Sequence, residues 1–194
     1  MERVDDIPAS EFDNIISELR SLFTKDTKPQ TFGIVTRRSQ LPDYSKLCAA
    51  RPLLYKYILE FGEKYVKIPF TSITVNQNNS KRRNATAVFI VSFGNFTGGE
   101  LEVLDGEYAG VYDIKYKPVI TTFKYAIKEH KGERYSLTFY QSKKATGIPS
   151  ASVVLHDGRY LFKRGDDIVY NTPCKKYLSG EIRKESREVV HSFW

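Results

Sequence analysis

Apolar residues recur at helical spacing in two early segments of the chain. In the first, residues 10–24, they fall on one face of a helix. The second begins at Pro52, a residue type that favours the first turn of a helix, and ends at or close to Gly62. The pattern therefore predicts two amphipathic helices, with a short strand between them at residues 31–36.

From Phe70 onward the pattern changes to short strands with turn residues between them. Five predicted strands lie at residues 73–76, 86–93, 99–104, 117–123 and 133–140. Three more follow at residues 151–156, 159–163 and 167–171, joined by turns at Asp157-Gly158 and Gly165-Asp166. Helices followed by a run of strands indicate an α+β fold with the helices on one face of a sheet or barrel, and the last three strands predict a meander.

Composition and charge narrow the class of protein. The 194 residues suit one domain, and the net charge of +7 favours a polyanionic partner, although a lysine-rich solvated surface explains it equally well. Cys48 and Cys174 are far apart in the sequence, which argues against a disulfide framework or a zinc cluster and indicates a reducing, intracellular location, cytoplasmic or nuclear. We find no signal peptide and no transmembrane segment, and expect no membrane partner.

A glycine-rich segment, GNFTGGEL, begins at Gly94, and a second segment, GERYSL, follows at Gly132. These two segments belong to a set of six, which lie at residues 31–38, 51–62, 71–78, 89–103, 112–120 and 132–140. Together they resemble the 2-oxoglutarate/Fe(II) oxygenases related to the TET/JBP-type nucleic-acid base hydroxylases. The resemblance implies a double-stranded β-helix (jelly-roll, cupin-like) core.

The resemblance and the strand pattern also divide the chain. We expect an oxygenase-like domain with a helical lead-in at residues 1–140. We expect residues 141–194 to form a C-terminal extension, a β-meander followed by a charged tail, packed on the same domain.

The last predicted strand of the core contains Arg134-Tyr135-Ser136. In the oxygenases that it resembles, an Arg-x-Ser on this strand binds the far carboxylate of 2-oxoglutarate, because a planar guanidinium suits a carboxylate. The resemblance therefore implies a carboxylate site at Arg134 and Ser136, whose side chains should face the barrel interior together. A buried ion pair between Arg134 and an acidic residue is the alternative explanation.

The residues that should hold iron are replaced. In the resembled enzymes a His-x-Asp pair and a later His supply the ligands. An ungapped count back from the glycine pair places Asn79 and Lys81 at the first two positions, and a similar count places Tyr125 near the later His. No histidine precedes His130 in the chain. Because charged lysine has no lone pair and asparagine is a weak donor, we expect neither a bound metal nor a cofactor.

Consecutive cations supply candidate nucleic-acid contacts. Lys81-Arg82-Arg83 would lie at the mouth of the barrel, although such a run also occurs on ordinary solvated loops. Other pairs that would extend this surface are Arg37-Arg38, Lys143-Lys144, Lys163-Arg164 and Lys175-Lys176.

The Gly98-Gly99 pair and His130 are explained without a functional role. Gly98-Gly99 is expected to form a turn with unusual backbone angles. His130 is expected to be a solvated residue of a loop before the last core strand.

The leading hypothesis is a pseudoenzyme of the oxygenase fold that acts as a binding module for DNA or RNA. The alternative is an active 2-oxoglutarate-dependent dioxygenase whose iron uses His130, Glu129 or asparagines of residues 75–80. A third hypothesis is a structural or interaction module with a protein partner, in which the positive charge serves solubility.

Overall fold

The helices precede most of the strands and lie on one side of the molecule. A 3-10 helix, Ala9–Phe12, leads into α1 (Asp13–Leu22), and α2 (Lys46–Ala50) precedes α3 (Pro52–Tyr65). The computed structural model describes residues 1–23, 28–36, 41–77, 86–142, 148 and 150–169 in full, and residues 81–82 and 190–191 by their backbone. Within these residues no helix combines the length and the apolar character needed to cross a membrane.

The first predicted helix is correct in its core but is not one continuous α-helix. Its first turn is the 3-10 segment, and Phe12, Ile15 and Leu19 are buried. The second predicted helix does begin at Pro52, but it continues past Gly62 to Tyr65. An ideal Cβ at Gly62 would lie 2.6 Å from Phe70 Cζ, so this glycine allows close packing of the helix rather than ending it.

The strands form two sheets that face each other and a third sheet near the C-terminus. The strands are β1 (Glu2–Arg3), β2 (Gln30–Val35), β3 (Asp43–Tyr44), β4 (Ser72–Asn76), β5 (Lys81–Arg82), β6 (Val88–Gly98), β7 (Leu101–Val103), β8 (Gly110–Tyr112), β9 (Val119–Thr121), β10 (Tyr125–Ile127), β11 (His130–Tyr140), β12 (Ala151–His156), β13 (Arg159–Arg164), β14 (Asp167–Val169) and β15 (Val190–His191).

The chain winds between the first two sheets. The major sheet has the strand order β1-β9-β6-β11-β4-β2-β3 and the minor sheet has the order β5-β10-β7-β8. From β4 onward the chain moves from the major to the minor sheet and back, so that β4, β6, β9 and β11 alternate with minor-sheet strands. This winding is a double-stranded β-helix, and the predicted fold class is confirmed.

The two faces of the major sheet are covered differently. On the outer face, aromatic side chains of β6 and β11 pack against the helices, as in the stacked pair of Phe93 and Phe12 with centroids 4.4 Å apart. On the inner face, Val88 and Ile90 pack against the minor sheet, where Leu101 and Tyr125 are buried. Burial of each large apolar side chain contributes roughly 1.5–3 kcal/mol, so both faces hold the sheet in place.

The predicted meander near the C-terminus is confirmed. Strands β12, β13 and β14 pair in sequence order, and β15 adds a short fourth strand. Asp157 and Gly158 have φ values of 48° and 71°, as a tight hairpin turn requires. Phe162 of β13 packs against Tyr55 of α3, with ring centroids 5.8 Å apart. Most of the charged tail lies outside the described residues.

Candidate functional site

One end of the barrel interior is lined by polar side chains. On β11, Arg134, Ser136 and Thr138 alternate with residues that face the helices, and all three are buried. The strand register places Ser136 between Asn76 of β4 and Ser92 of β6. The sequence correctly predicted that Arg134 and Ser136 share the interior face.

Arg134 is the most unusual member of this lining. It is 0% exposed, and its Nε, Nη1 and Nη2 atoms have no hydrogen-bond partner in the structure as described. The alternative explanation of a buried ion pair is therefore wrong for the described residues. The adjacent Glu133 points to the other face, where it accepts bonds of 2.9 and 2.7 Å from the Arg20 guanidinium.

The Arg134 side chain extends toward the start of its own strand. An ideal Cβ at Gly99 would lie 2.8 Å from Arg134 Nε, and the Gly99 N–H donates to the Glu129 carbonyl just before β11. Ser136 lies in the opposite direction along the strand. The structure thus places Arg134 and Ser136 on one face but directs the guanidinium to the Gly98-Gly99 turn, and a joint carboxylate site at both residues stays a prediction.

Phe96 lies at the centre of the positive groups around Arg134. The Arg134 Cζ atom is 5.6 Å from the Phe96 ring centroid, and Lys115 Nζ is 4.7 Å from the same centroid. Lys115 also donates to the Phe96 carbonyl at 2.9 Å. These contacts stabilise a cation by about 0.5–2 kcal/mol each, which is less than the several kcal/mol that burial of an unpaired ion costs.

The electrostatics of Arg134 follow from its burial. Loss of water lowers the pKa of the guanidinium to about 10, and the nearby Tyr125 phenol opposes this shift. The side chain therefore remains charged at neutral pH. The interior holds a positive charge whose partner is not supplied by any described side chain.

His130 does not lie on a loop, contrary to the sequence prediction. It is the first residue of β11, opposite Gly98, and it is half-buried with its ring edge-on to Phe96 at a centroid distance of 6.3 Å. Burial lowers the pKa of the imidazole, and the Arg134 charge lowers it further. Sequence reasoning missed this position because strand β11 continues through Gly132, which has a φ of 102°.

The positions expected to hold iron are only partly described. Tyr125 is the first residue of β10, is 1% exposed, and pairs in register with Arg82 of β5. Lys81 lies beside Arg82 on this strand, and Asn79 lies outside the described residues. Within the described parts of the chain, His, Cys, Asp and Glu residues form no group of three suited to a metal ion. A phenol, a lysine and an asparagine do not fit an Fe(II) site.

The predicted nucleic-acid contacts lie mostly outside the described residues. This applies to Arg37, Arg38, Arg83, Lys143 and Lys144. Lys81 and Arg82 lie on β5, an edge strand of the minor sheet. The Lys163-Arg164 pair is partly neutralised, because Arg164 forms a 3.0 Å ion pair with Asp43 and Lys163 lies 3.9 Å from Asp166.

Sequence reasoning also missed Ser92 and Phe96 as parts of the site. Ser92 is the one polar residue in the run VFIVSF, and alternation along β6 places it on the interior face with Val88 and Ile90. A single polar residue in an otherwise apolar strand is the signal that indicates it.

Comparison with known proteins supports the fold. No protein-family model and no curated protein sequence matches the chain. NgTET1 in complex with 5mC DNA has a similar structure, with a TM-score of 0.52, 14% identity, and coverage of 73% of this chain and 71% of that chain. An oxidoreductase of the 2OG-Fe(II) oxygenase family from Burkholderia pseudomallei has a TM-score of 0.39 and 11% identity over 66% of this chain and 78% of its own. The similarity to NgTET1 confirms the predicted fold.

We expect Gly99→Ala to destabilise the protein more than Gly158→Ala. Both glycines have similar φ values, +73° and +71°, so both variants incur a left-handed backbone penalty of roughly 1–2 kcal/mol. At Gly158 the new Cβ meets nothing within 4 Å, whereas at Gly99 it meets the Arg134 side chain. Urea unfolding should show a further loss of roughly 1–3 kcal/mol for the Gly99 variant. Equal losses would show that Arg134 does not pack against the turn.

Proposed function

We propose that this chain is a binding module of the oxygenase fold that works without iron, holds an anionic ligand at Arg134, and has nucleic acid as its larger partner. The buried, unpaired Arg134 guanidinium is the observation that carries the proposal. A carboxylate would offset the desolvation of this charge by accepting two parallel hydrogen bonds from the guanidinium fork. A pseudoenzyme that binds rather than reacts fits such a site.

The chemistry of the barrel positions supports the absence of iron. Oxygenases that use Fe(II) need imidazole and carboxylate ligands with open coordination positions. The ungapped count places Asn79, Lys81 and Tyr125 at those positions. Arg134 suits the carboxylate of a 2-oxo acid, so a ligand of the 2-oxoglutarate class fits the anion site even though the metal does not.

Metal binding separates this proposal from the dioxygenase alternative. We expect anaerobic titration of the full chain with Mn(II) to give no saturable, stoichiometric uptake, because the ligand positions lack imidazole and carboxylate groups. The dioxygenase alternative instead predicts one bound metal per chain and succinate formation from 2-oxoglutarate. Stoichiometric uptake that is lost in the His130→Ala variant would favour that alternative.

Charge and fold support nucleic acid as the partner. The chain carries a net charge of +7, and cations close to phosphates gain affinity by releasing counterions. Lys81 and Arg82 lie on an edge strand whose neighbour, β10, begins with the buried Tyr125. NgTET1, which shares the fold, was solved in complex with 5mC DNA. The position of Lys81 and Arg82 on an edge strand, paired with the strand that holds the buried Tyr125, supports the basic run as the contact surface.

We expect salt-dependent binding to nucleic acid that depends on the Lys81-Arg82-Arg83 run. Fluorescence anisotropy with DNA and RNA, single- and double-stranded, should show affinity that falls linearly with salt on a log–log scale, with a slope of about −0.9 per duplex phosphate contact. Changing the three residues to glutamate should weaken binding at low salt by more than about tenfold, since several phosphate contacts are lost.

A matched control separates this surface from net charge alone. The variant Lys46→Glu, Lys67→Glu, Arg159→Glu makes the same change in charge at three exposed positions elsewhere. It should weaken binding less than the first variant. Absence of salt-dependent binding by the unmodified chain to every nucleic acid tested would refute the nucleic-acid part of the proposal.

A further inference from the structure

One edge of the C-terminal sheet, which consists of β12 to β15, has no strand beside it among the described residues. On that edge β12 pairs with β13 alone. The other edge strands, β1, β3, β5, β8 and β15, have two or three residues each, whereas β12 has six. Sheets avoid adding further strands by keeping edge strands short or by placing charged side chains on them. β12 has neither protection, because its sequence, ASVVLH, contains no lysine, arginine or acidic residue.

The turn between β12 and β13 determines which backbone groups face the free side. Its loop is the two-residue turn Asp157-Gly158, so the flanking residues His156 and Arg159 form a hydrogen-bonded pair. Every second residue back from His156 then also bonds toward β13. In agreement, the Ser150 carbonyl accepts a hydrogen bond of 2.7 Å from the Gly165 N–H.

The alternate residues, Ala151, Val153 and Leu155, direct their N–H and C=O groups away from β13. Their side chains share one face of the sheet, and those of Ala151 and Val153 pack against the main core. Leu155 lies beyond that core and is 62% exposed. The free edge therefore offers three donors and three acceptors of the backbone, together with an apolar side chain that the chain itself does not cover.

A cavity lies beside Ala151, at the other end of the same strand. It has a volume of about 160 Å³, and its lining includes Ile34, Tyr44, Tyr55, Leu59, Phe70 and Ala151. Ala151 of β12 lines this cavity and the described residues of β13 do not, which places the cavity toward the free side of β12. An apolar cavity of roughly 150 Å³ accepts a group the size of benzene, so this one accommodates a leucine side chain.

We propose that two copies of this chain pair through β12, antiparallel and about a twofold axis at Val153. Val153 then lies opposite Val153 of the second copy, and Ala151 lies opposite Leu155 of the second copy. Each facing pair exchanges two backbone hydrogen bonds, because these are the residues whose backbone groups point outward. The two C-terminal sheets become one continuous sheet across the axis.

The twofold axis explains why the exposed leucine and the cavity occur on one strand. Residues that face each other in an antiparallel pair lie on the same face of the sheet, so Leu155 of each copy points to the cavity beside Ala151 of the other. The contact thus buries both leucines and fills both cavities. A segment of an unrelated protein would not require this arrangement within β12 itself, and a second copy is therefore the partner that the strand fits.

Sedimentation equilibrium of the full chain tests the proposal. One strand pair and two leucines make a small interface, so we expect a dissociation constant of roughly 1–100 μM. The average mass should rise with concentration from the 22.3 kDa of the monomer toward twice that value. The Leu155→Lys variant places a charge on the edge and removes the inserted side chain, and it should weaken dimerisation by at least about tenfold.

Leu104→Lys is the matched control. Leu104 is also an exposed leucine, at 48%, and lies outside the C-terminal sheet, so the variant makes the same change in charge away from β12. It should dimerise like the unmodified chain. A chain that stays monomeric at every concentration up to several hundred micromolar would overturn the proposal, and so would equal effects of the two lysine variants.

The variant Ala151→Leu tests the role of the cavity. It supplies from the chain's own strand the side chain that the second copy would insert, so it should weaken dimerisation while the unfolding temperature of the monomer is maintained or raised. Dimerisation as strong as that of the unmodified chain would overturn insertion of Leu155 into the cavity.

An oxidative cross-link tests the register. Ser152 lies opposite Val154 of the second copy in a pair that is not hydrogen-bonded, with Cα atoms about 4.5 Å apart, which a disulfide can span. The double variant Ser152→Cys, Val154→Cys should form a covalent dimer, and Ser152→Cys alone should give little more than the background of the unmodified chain, which contains Cys48 and Cys174. Equal cross-linking of the single and double variants would overturn the register. None of these variants changes Arg134 or the basic run, so failure of the dimer leaves the proposed function standing.

Discussion

The antiparallel ladder between β6 and β11 is the constraint on which the rest of the structure depends. It joins eleven residue pairs, from His130 opposite Gly98 to Tyr140 opposite Val88. Because side chains alternate along a strand, this register assigns one set to the helices and the other to the barrel. A slip of one residue would place Tyr135 and Phe139 in the barrel and Arg134 against the helical core. The large apolar contacts of the outer face thus hold the polar residues of the inner face in position.

The barrel interior contains buried polar groups that lower the free energy of unfolding. The outer face packs aromatic residues from both sides, whereas the inner face buries the Arg134 guanidinium and the Ser92 hydroxyl without partners among the described residues. Glycines make this arrangement sterically possible. Gly99 leaves room for the arginine side chain, and at Gly94 a Cβ would lie 2.4 Å from the Glu133 carbonyl oxygen, so only glycine allows the close approach of β11 there. Buried polar groups without partners are rare in folded proteins, and they are expected where a ligand completes the structure.

The sequence allowed the fold class to be predicted from the resemblance, and the two long strands from their composition, because β6 begins with a nearly continuous apolar run and β11 alternates polar and apolar residues. It did not predict the short strands β8 and β10, each of three residues, whose pairing depends on neighbours distant in sequence. The direction of the Arg134 side chain depends on Gly99. Only the pairing of β6 with β11 brings these two residues together, so the sequence does not show the contact. For the same reason the sequence placed His130 on a loop, although Gly132 allows the strand to extend back to it. The positions that would hold iron were named from an ungapped count, and Asn79 lies outside the described residues.

The most direct test is the stability of Arg134→Met with and without a carboxylate. Removing a buried charge that has no counter-ion should raise the unfolding temperature of the ligand-free protein, since methionine fills a similar volume without a desolvation penalty. Glutarate should raise the unfolding temperature of the unmodified protein and leave that of the variant unchanged. Arg159→Met, at an exposed position, should behave like the unmodified protein. A ligand-free variant that is less stable than the unmodified protein, with no effect of glutarate on either, would show that Arg134 has its partner within the chain.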